Sequence, residues 1–141
     1  MRVVLGSDMK THLTEAVARD LEERGHDVVL VGPPGGDEIE WAEVGNRVGA
    51  AVAGGEAHTG VLFCWTGTGA SIAANKVPGV RAALCTDAST AEGARKYNDA
   101  NVLVMGLRLT SPELAKEMLD AWFAAEPDPA EAANVARLEH L

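Results

Sequence analysis

Cysteine, histidine and basic residues are all scarce in this chain, and each shortage excludes a class of site. The 141 residues include two cysteines and four histidines, without the Cys-x-x-Cys or mixed Cys/His arrays that bind structural zinc or haem. Twelve basic residues stand against 21 acidic ones, so the formal net charge is −9. No Lys/Arg-rich run offsets that charge locally, which argues against binding to nucleic acid or to anionic membranes.

Long apolar runs are missing as well. The opening run, Met1–Gly6, has the character of a strand and is too short for a signal peptide or a membrane span. We therefore expect a cytoplasmic protein whose thiols stay reduced. A length of 141 residues fits one domain, over residues 1–141, with a core that needs neither a disulfide nor a metal. The expected partner is a small molecule or another protein.

Short apolar runs, rich in Val and Leu and with little alternation, recur along the chain. They are Arg2–Gly6, Asp27–Val31, Gly60–Cys64, Arg81–Cys85 and Val102–Gly106. Continuous apolar runs of this length are typical of parallel strands that are covered on both faces.

Helical patterns lie between these runs. Leu13, Val17 and Leu21 repeat at a spacing of four residues, and Ser111 before Pro112 is a strong helix start. The other predicted helical segments are Trp41–Val52, Asp87–Tyr97 and about 129–139. The alternation of strand and helix predicts an α/β fold, a Rossmann-like three-layer α/β/α sandwich with a five-stranded parallel sheet.

One loop combines a thiol with a glycine turn. Cys64 ends the third predicted strand, and the residues 65–69 lead from it into a helix of small residues. Glycines permit a tight turn whose amides hold an oxyanion at a helix N-terminus, and the same amides favour a thiolate. A thiolate in this place can act as a base while the amides hold an enediolate. The alternative is that Cys64 is an ordinary buried residue at a strand end.

The run Cys64–Lys76 resembles the signature of the type B ribose-5-phosphate isomerases and of the related galactose-6-phosphate isomerase subunits. Three other stretches agree in the same order, namely Gly6–Asp8, Val80–Cys85 and Asn98–Leu103. The resemblance implies aldose–ketose isomerisation of a sugar or sugar phosphate without a metal or a cofactor. It also implies a homodimer or homotetramer with shared active sites, in which the C-terminal helix packs on the neighbouring subunit.

The resemblance assigns roles to individual residues. Cys64 moves the proton between C1 and C2, Thr66 lies in the loop that stabilises the enediolate, and Tyr97 takes the place of the family's ring-opening acid. The residues implied in substrate binding are Asp8, Met9, Trp41, Gly67, Gly69, Ser71, Asn98 and Arg137. Some family members place a Glu base where this chain has Ala70, so only the cysteine mechanism is available here. The alternative for Tyr97 and Trp41 is that each aromatic side chain only packs against its neighbours and has no role in the reaction.

Several positions depart from the family's pattern. Met9 and Tyr97 stand where the family has histidines, and Trp41 stands where it has a tyrosine. Of the family's phosphate-binding residues near the C-terminus, only Arg137 remains. We therefore expect a substrate other than ordinary ribose 5-phosphate, such as an unphosphorylated sugar, a shorter sugar acid or a keto compound that needs no ring opening. Two alternatives stay open, a non-catalytic sugar-binding protein that kept the pocket and a flavodoxin-like nucleotide-binding protein.

Overall fold

The computed structural model describes residues 1–141. The chain alternates strand and helix from end to end, with a short 3-10 turn at Pro33–Gly35 and another at Pro129–Glu131. The strands are β1 (Arg2–Ser7), β2 (Asp27–Val31), β3 (Thr59–Cys64), β4 (Ala82–Leu84) and β5 (Val102–Gly106). The helices are α1 (His12–Glu23), α2 (Trp41–Ala53), α3 (Thr68–Asn75), α4 (Ala88–Asn98), α5 (Pro112–Ala124) and α6 (Ala132–Leu138).

All five strands are parallel and form one sheet in the order β2-β1-β3-β5-β4. Helices α1, α4 and α5 pack on one face, around Phe63, Met105 and Trp122. Helices α2 and α3 pack on the other face, around Val48 and Leu62. The predicted three-layer α/β/α sandwich is confirmed.

The helix starts follow their local sequence. The Ser111 hydroxyl accepts a hydrogen bond from the Leu114 N–H, and Pro112 takes the first helical position, where no N–H is needed. Asp87 caps α4 in the same way, by accepting from the Thr90 N–H. The Ser111 cap stands where the sequence predicted it, and the Asp87 cap is the first residue of the predicted segment Asp87–Tyr97.

The expectation that every strand is covered on both faces is wrong at the two edges. The central strands β1, β3 and β5 are buried almost throughout, but β2 leaves Val29 and Leu30 about two-fifths exposed and β4 leaves Leu84 partly exposed. Edge strands have a neighbour on one side only, and the helices cover the middle of the sheet. Strand β4 is also shorter than predicted, because only Ala82–Leu84 pair with β5.

No helix combines the length and the apolar character needed to cross a membrane. Helix α6 stands apart from the two apolar cores, and none of its residues is buried. Its far end is held by an ion pair of 2.9 Å between Glu139 and Arg81, the residue just before β4.

Candidate active site at the carboxyl ends of β1 and β3

A cleft of about 260 Å³ opens where β1 and β3 end side by side. The chain leaves β1 toward β2 on one side of the sheet, whereas β4 and β5 lie on the other side of β3. Such a switch point between neighbouring strands is where open α/β sheets bind their ligands. The cleft is lined by Asp8, Trp41, Cys64, Trp65, Thr66, Thr68 and Gly69.

Cys64 forms the floor of this cleft. It is the last residue of β3, its side chain is a free thiol, and only 5% of its surface is exposed. Its backbone is held on the β5 side, since it pairs with Gly106 in the sheet and its carbonyl accepts a hydrogen bond of 2.9 Å from the Leu107 N–H. Cys64 therefore lies at the boundary of the apolar core around Leu62, where that core meets the cleft.

A tight turn brings the backbone of α3 up to the thiol. Gly67 has φ +81°, in the left-handed region, and a Cβ there would lie 2.5 Å from the Leu84 side chain, so no larger residue fits. Helix α3 begins at Thr68, and the Ser71 N–H is the first of its amides to bond back, to the Gly67 carbonyl. The amides ahead of Ser71 are left without helical acceptors and can bind an anion.

The side walls of the cleft come from α2 and from the turn itself. The Trp41 ring, at the first position of α2, packs on Gly69 so closely that a Cβ on Gly69 would lie 2.8 Å from the ring. The Thr66 and Thr68 hydroxyls lie 2.9 Å apart and form a hydrogen bond. A hydroxyl pair and an indole thus line the same cleft as Cys64.

Asp8 supplies the only carboxylate in the cleft. Its Oδ1 atom is buried and has no hydrogen-bond partner. Burial raises the pKa of the Asp8 carboxyl above its ordinary value of 3.8 and the negative charge of Glu40 raises it further, while a hydrogen bond from its own backbone N–H opposes both. An unsatisfied acceptor of this kind costs stability and is well suited to a ligand hydroxyl.

Three predicted binding residues lie next to the cleft without lining it. Met9 is exposed, and its backbone is held by the Ser7 hydroxyl, which donates to the Met9 carbonyl at 2.6 Å and accepts from its N–H at 3.1 Å. Gly67 and Ser71 shape the turn and the first bond of α3. For these residues a contact with substrate stays a prediction.

Tyr97, Asn98 and Arg137 lie away from the cleft. Tyr97 and Asn98 end α4, and the chain then passes Asn101, whose carbonyl bonds the Gly60 N–H at the start of β3. Cys64 ends the same strand four residues after Gly60, about 13 Å away at 3.3 Å per residue. Arg137 is exposed on α6, whose end is tied to Arg81 at that amino end. One chain therefore cannot bring these residues to its own Cys64.

Two lining residues were missed by the sequence analysis, Trp65 and Thr68. Both belong to the run that carried the resemblance, but they were not singled out. The signal that could have found them is their place within four residues of Cys64 on the carboxyl side of a strand. By contrast Cys85 is buried, and burial, together with the charge of Asp87, raises the pKa of its thiol to about 11.

The sequence matches a family model described as Ribose/Galactose Isomerase over residues 3–141. Among curated proteins, it is 41% identical to ribose-5-phosphate isomerase B of Escherichia coli over 114 residues, which cover 81% of this chain and 76% of that protein. It is 36% identical to D-erythrulose-4-phosphate isomerase 2 of Mycolicibacterium smegmatis over 145 aligned positions, which cover 100% of this chain and 95% of that protein.

Solved structures agree with these sequence matches. The Clostridium thermocellum ribose-5-phosphate isomerase B superposes with a TM-score of 0.92 at 37% identity, covering 99% of this chain and 96% of the other. The type B ribose 5-phosphate isomerase of Trypanosoma brucei gives a TM-score of 0.90 at 34% identity, with coverage of 99% and 97%. The similarity therefore extends over the whole chain.

Proposed function

This chain belongs to the Ribose/Galactose Isomerase family and is a sugar isomerase, and from that premise we propose that Cys64 carries the proton in its reaction. The observation that supports this role is the position of the thiol, at the floor of an open cleft and beside the free amides of α3. A base and an oxyanion site must lie together for proton transfer next to a carbonyl.

The proposed reaction proceeds through an enediolate. The Cys64 thiolate takes the proton from C2 of the open-chain aldose, and the C1 carbonyl oxygen becomes negatively charged. The amides at the start of α3 hold that charge. The thiol then returns the proton to C1, and a hydroxyl proton moves from the C2 oxygen to the C1 oxygen, which leaves the ketose. Asp8 accepts a hydrogen bond from a substrate hydroxyl through its unpartnered Oδ1.

The substrate we propose is a four-carbon sugar 4-phosphate. In such a compound the phosphate occupies the only hydroxyl that could close a ring of five members, so the sugar stays open. No ring-opening acid is then needed, which fits the replacement of two family histidines by Met9 and Tyr97. Relatives named as erythrulose-4-phosphate isomerases match over most or all of this chain.

The test is direct observation of the interconversion by NMR. We expect erythrose 4-phosphate to be converted to the ketose faster than ribose 5-phosphate is, and Cys64→Ala to lose roughly a thousandfold of the rate. Cys85→Ala is the matched control, because that thiol is buried and inert. Turnover that survives in Cys64→Ala contradicts the base, and preferred turnover of ribose 5-phosphate contradicts the substrate.

We also propose that two copies of the chain share each active site. The separation of Tyr97, Asn98 and Arg137 from Cys64 within one chain supports this arrangement, because a second copy can bring its own amino-end residues to the cleft.

Saturable sugar binding without isomerisation would instead support the non-catalytic alternative.

A complementation experiment tests the sharing. Cys64→Ala and Asn98→Ala are each expected to be nearly inactive, but hybrids of the two contain one intact site. Co-expression is expected to restore about a quarter of the wild-type activity, since half of the pairs are hybrid and half of their sites are whole. A mixture no more active than its components would show that the site belongs to one chain.

A further inference from the structure

A second indole, that of Trp65, lines the cleft in addition to Trp41. Trp65 directly follows Cys64, lines the same cleft and leaves 55% of its surface exposed. Neither of the two apolar cores includes it. A large rigid aromatic that packs into no core is available for contact with a ligand.

The backbone of Trp65 cannot withdraw from the cleft. Its carbonyl accepts a hydrogen bond of 2.9 Å from the Arg108 N–H, and the preceding carbonyl, of Cys64, accepts one of 2.9 Å from the Leu107 N–H. Both bonds tie the end of β3 to the loop between β5 and α5. The backbone that carries the reacting thiol and the Trp65 indole is therefore fixed at both residues.

The other indole of the lining is that of Trp41, which packs closely on Gly69. The cleft that the two indoles line has a volume of about 260 Å³, which is below the range of about 300–1,000 Å³ common for small-molecule sites. A substrate whose reacting carbons lie at Cys64 must extend from the floor toward the rim of the cleft. Each added carbon lengthens it by one bond toward the indoles.

We infer that Trp65 sets the chain length of the sugar phosphate that this enzyme accepts. Its indole forms a wall that admits a four-carbon chain and obstructs a five-carbon one. This inference rests on the proposed function, because it takes Cys64 as the place of the reacting carbons. It assigns to Trp65 the role of a specificity-determining residue that touches the substrate without taking part in proton transfer.

The experiment compares kcat/KM for erythrose 4-phosphate and ribose 5-phosphate in wild type, Trp65→Phe and Trp65→Ala. In Trp65→Ala, the kcat/KM for ribose 5-phosphate divided by that for erythrose 4-phosphate is expected to rise by at least about tenfold. Tenfold is the lower end of the discrimination that a pocket achieves between substrates differing by about one methylene. The rise is expected to be smaller in Trp65→Phe. Truncation opens no core cavity, since Trp65 packs in none. Leu109→Ala is the control, an exposed apolar side chain outside the cleft.

A parallel measurement separates this inference from the mechanism. In a Cys64→Ala background, calorimetry gives Kd for the two sugar phosphates without turnover, and adding Trp65→Ala is expected to shift the ratio of Kd values the same way. An equal loss for both sugars, or a change in sedimentation that marks Trp65 as a subunit contact, overturns the inference. If wild type converts neither sugar, and Trp65→Ala still shifts the ratio of Kd values, the proposed function is overturned instead.

Discussion

The two ends of the sheet carry cavities of opposite character. The amino end has the larger one, about 440 Å³, and most of its charged groups are paired within the chain. Arg81 forms ion pairs with Asp99 and Glu139. Arg95 forms an ion pair with Asp99, and its guanidinium lies 5.6 Å from the centre of the Trp122 ring. The cleft at the carboxyl end is smaller and contains a buried carboxylate oxygen with no partner.

The difference shows that volume alone does not locate chemistry. At the amino end, the charged groups form ion pairs and hydrogen bonds with one another, and these hold the turn between α4 and β5 in place. At the carboxyl end, the acceptor of Asp8 and the amides of α3 are left open, at a cost in stability that a ligand can offset. Changes in the carboxyl-end cleft should therefore act on activity, and changes inside the amino-end cavity should act on stability. Tyr97, Asn98 and Arg137, which we propose act in the partner's site, do not line that cavity.

Apart from the Cys64→Ala and Asn98→Ala variants, the largest effect is expected from Gly69→Ala. The new Cβ would lie 2.8 Å from the Trp41 ring, so the ring or the turn must move, and a displacement of about 1 Å in an active site costs about a hundredfold in rate. Steady-state kinetics and thermal unfolding measure the two consequences. Gly93→Ala is the contrasting glycine, since the nearest atom would lie at 3.6 Å and a helical alanine gains roughly 0.5–1 kcal/mol. Activity retained in Gly69→Ala would show that the Trp41 contact is dispensable.

Asp8→Asn is expected to lower kcat/KM by about 10- to 100-fold, the range for a hydrogen bond to a charged group, and to raise stability at neutral pH. The native pKa of Asp8 lies above 3.8, so the folded state disfavours its charge at any pH above that native pKa. The stability gain of Asp8→Asn should be full there and vanish as the pH falls below 3.8. Chemical denaturation across this range measures it. A gain that grows toward low pH would contradict the sign.

The smallest effect on activity is expected from Trp122→Phe, at the amino end. This change removes the buried hydrogen bond of 3.1 Å from the Trp122 Nε1 to the Thr59 hydroxyl, at a cost of roughly 1–3 kcal/mol in the free energy of unfolding. Kinetics at a temperature where the variant is folded should match wild type. A large fall in kcat with stability unchanged would mean that the amino-end cavity takes part in the reaction after all.

Much of the fold followed from local sequence. The apolar runs located the five strands to within a residue or two, and Ser111 and Asp87 marked helix starts because capping is a short-range interaction. The exposure of β2 and β4 did not follow, because the position of a strand in the sheet depends on crossovers that no local pattern records.

The site followed in part. Cys64, Asp8 and Trp41 share one cleft because parallel strands end at the same edge and α2 begins there. The place of Asn98 at the amino end follows from the order of elements, since it stands between α4 and β5, but the motif alone does not record it. Trp65 was passed over because side-chain exposure at a strand end is a tertiary property.

The left-handed turn at Gly67 limits how this protein can diversify. With Leu84 on one side and the backbone of Gly106 on the other, that position has no room for variation, and neither has Gly69 beneath its indole. A laboratory library aimed at new substrates would waste most of its members on these glycines. New specificities are more accessible through the outward-facing aromatic at position 65, whose replacement leaves the packed interior untouched.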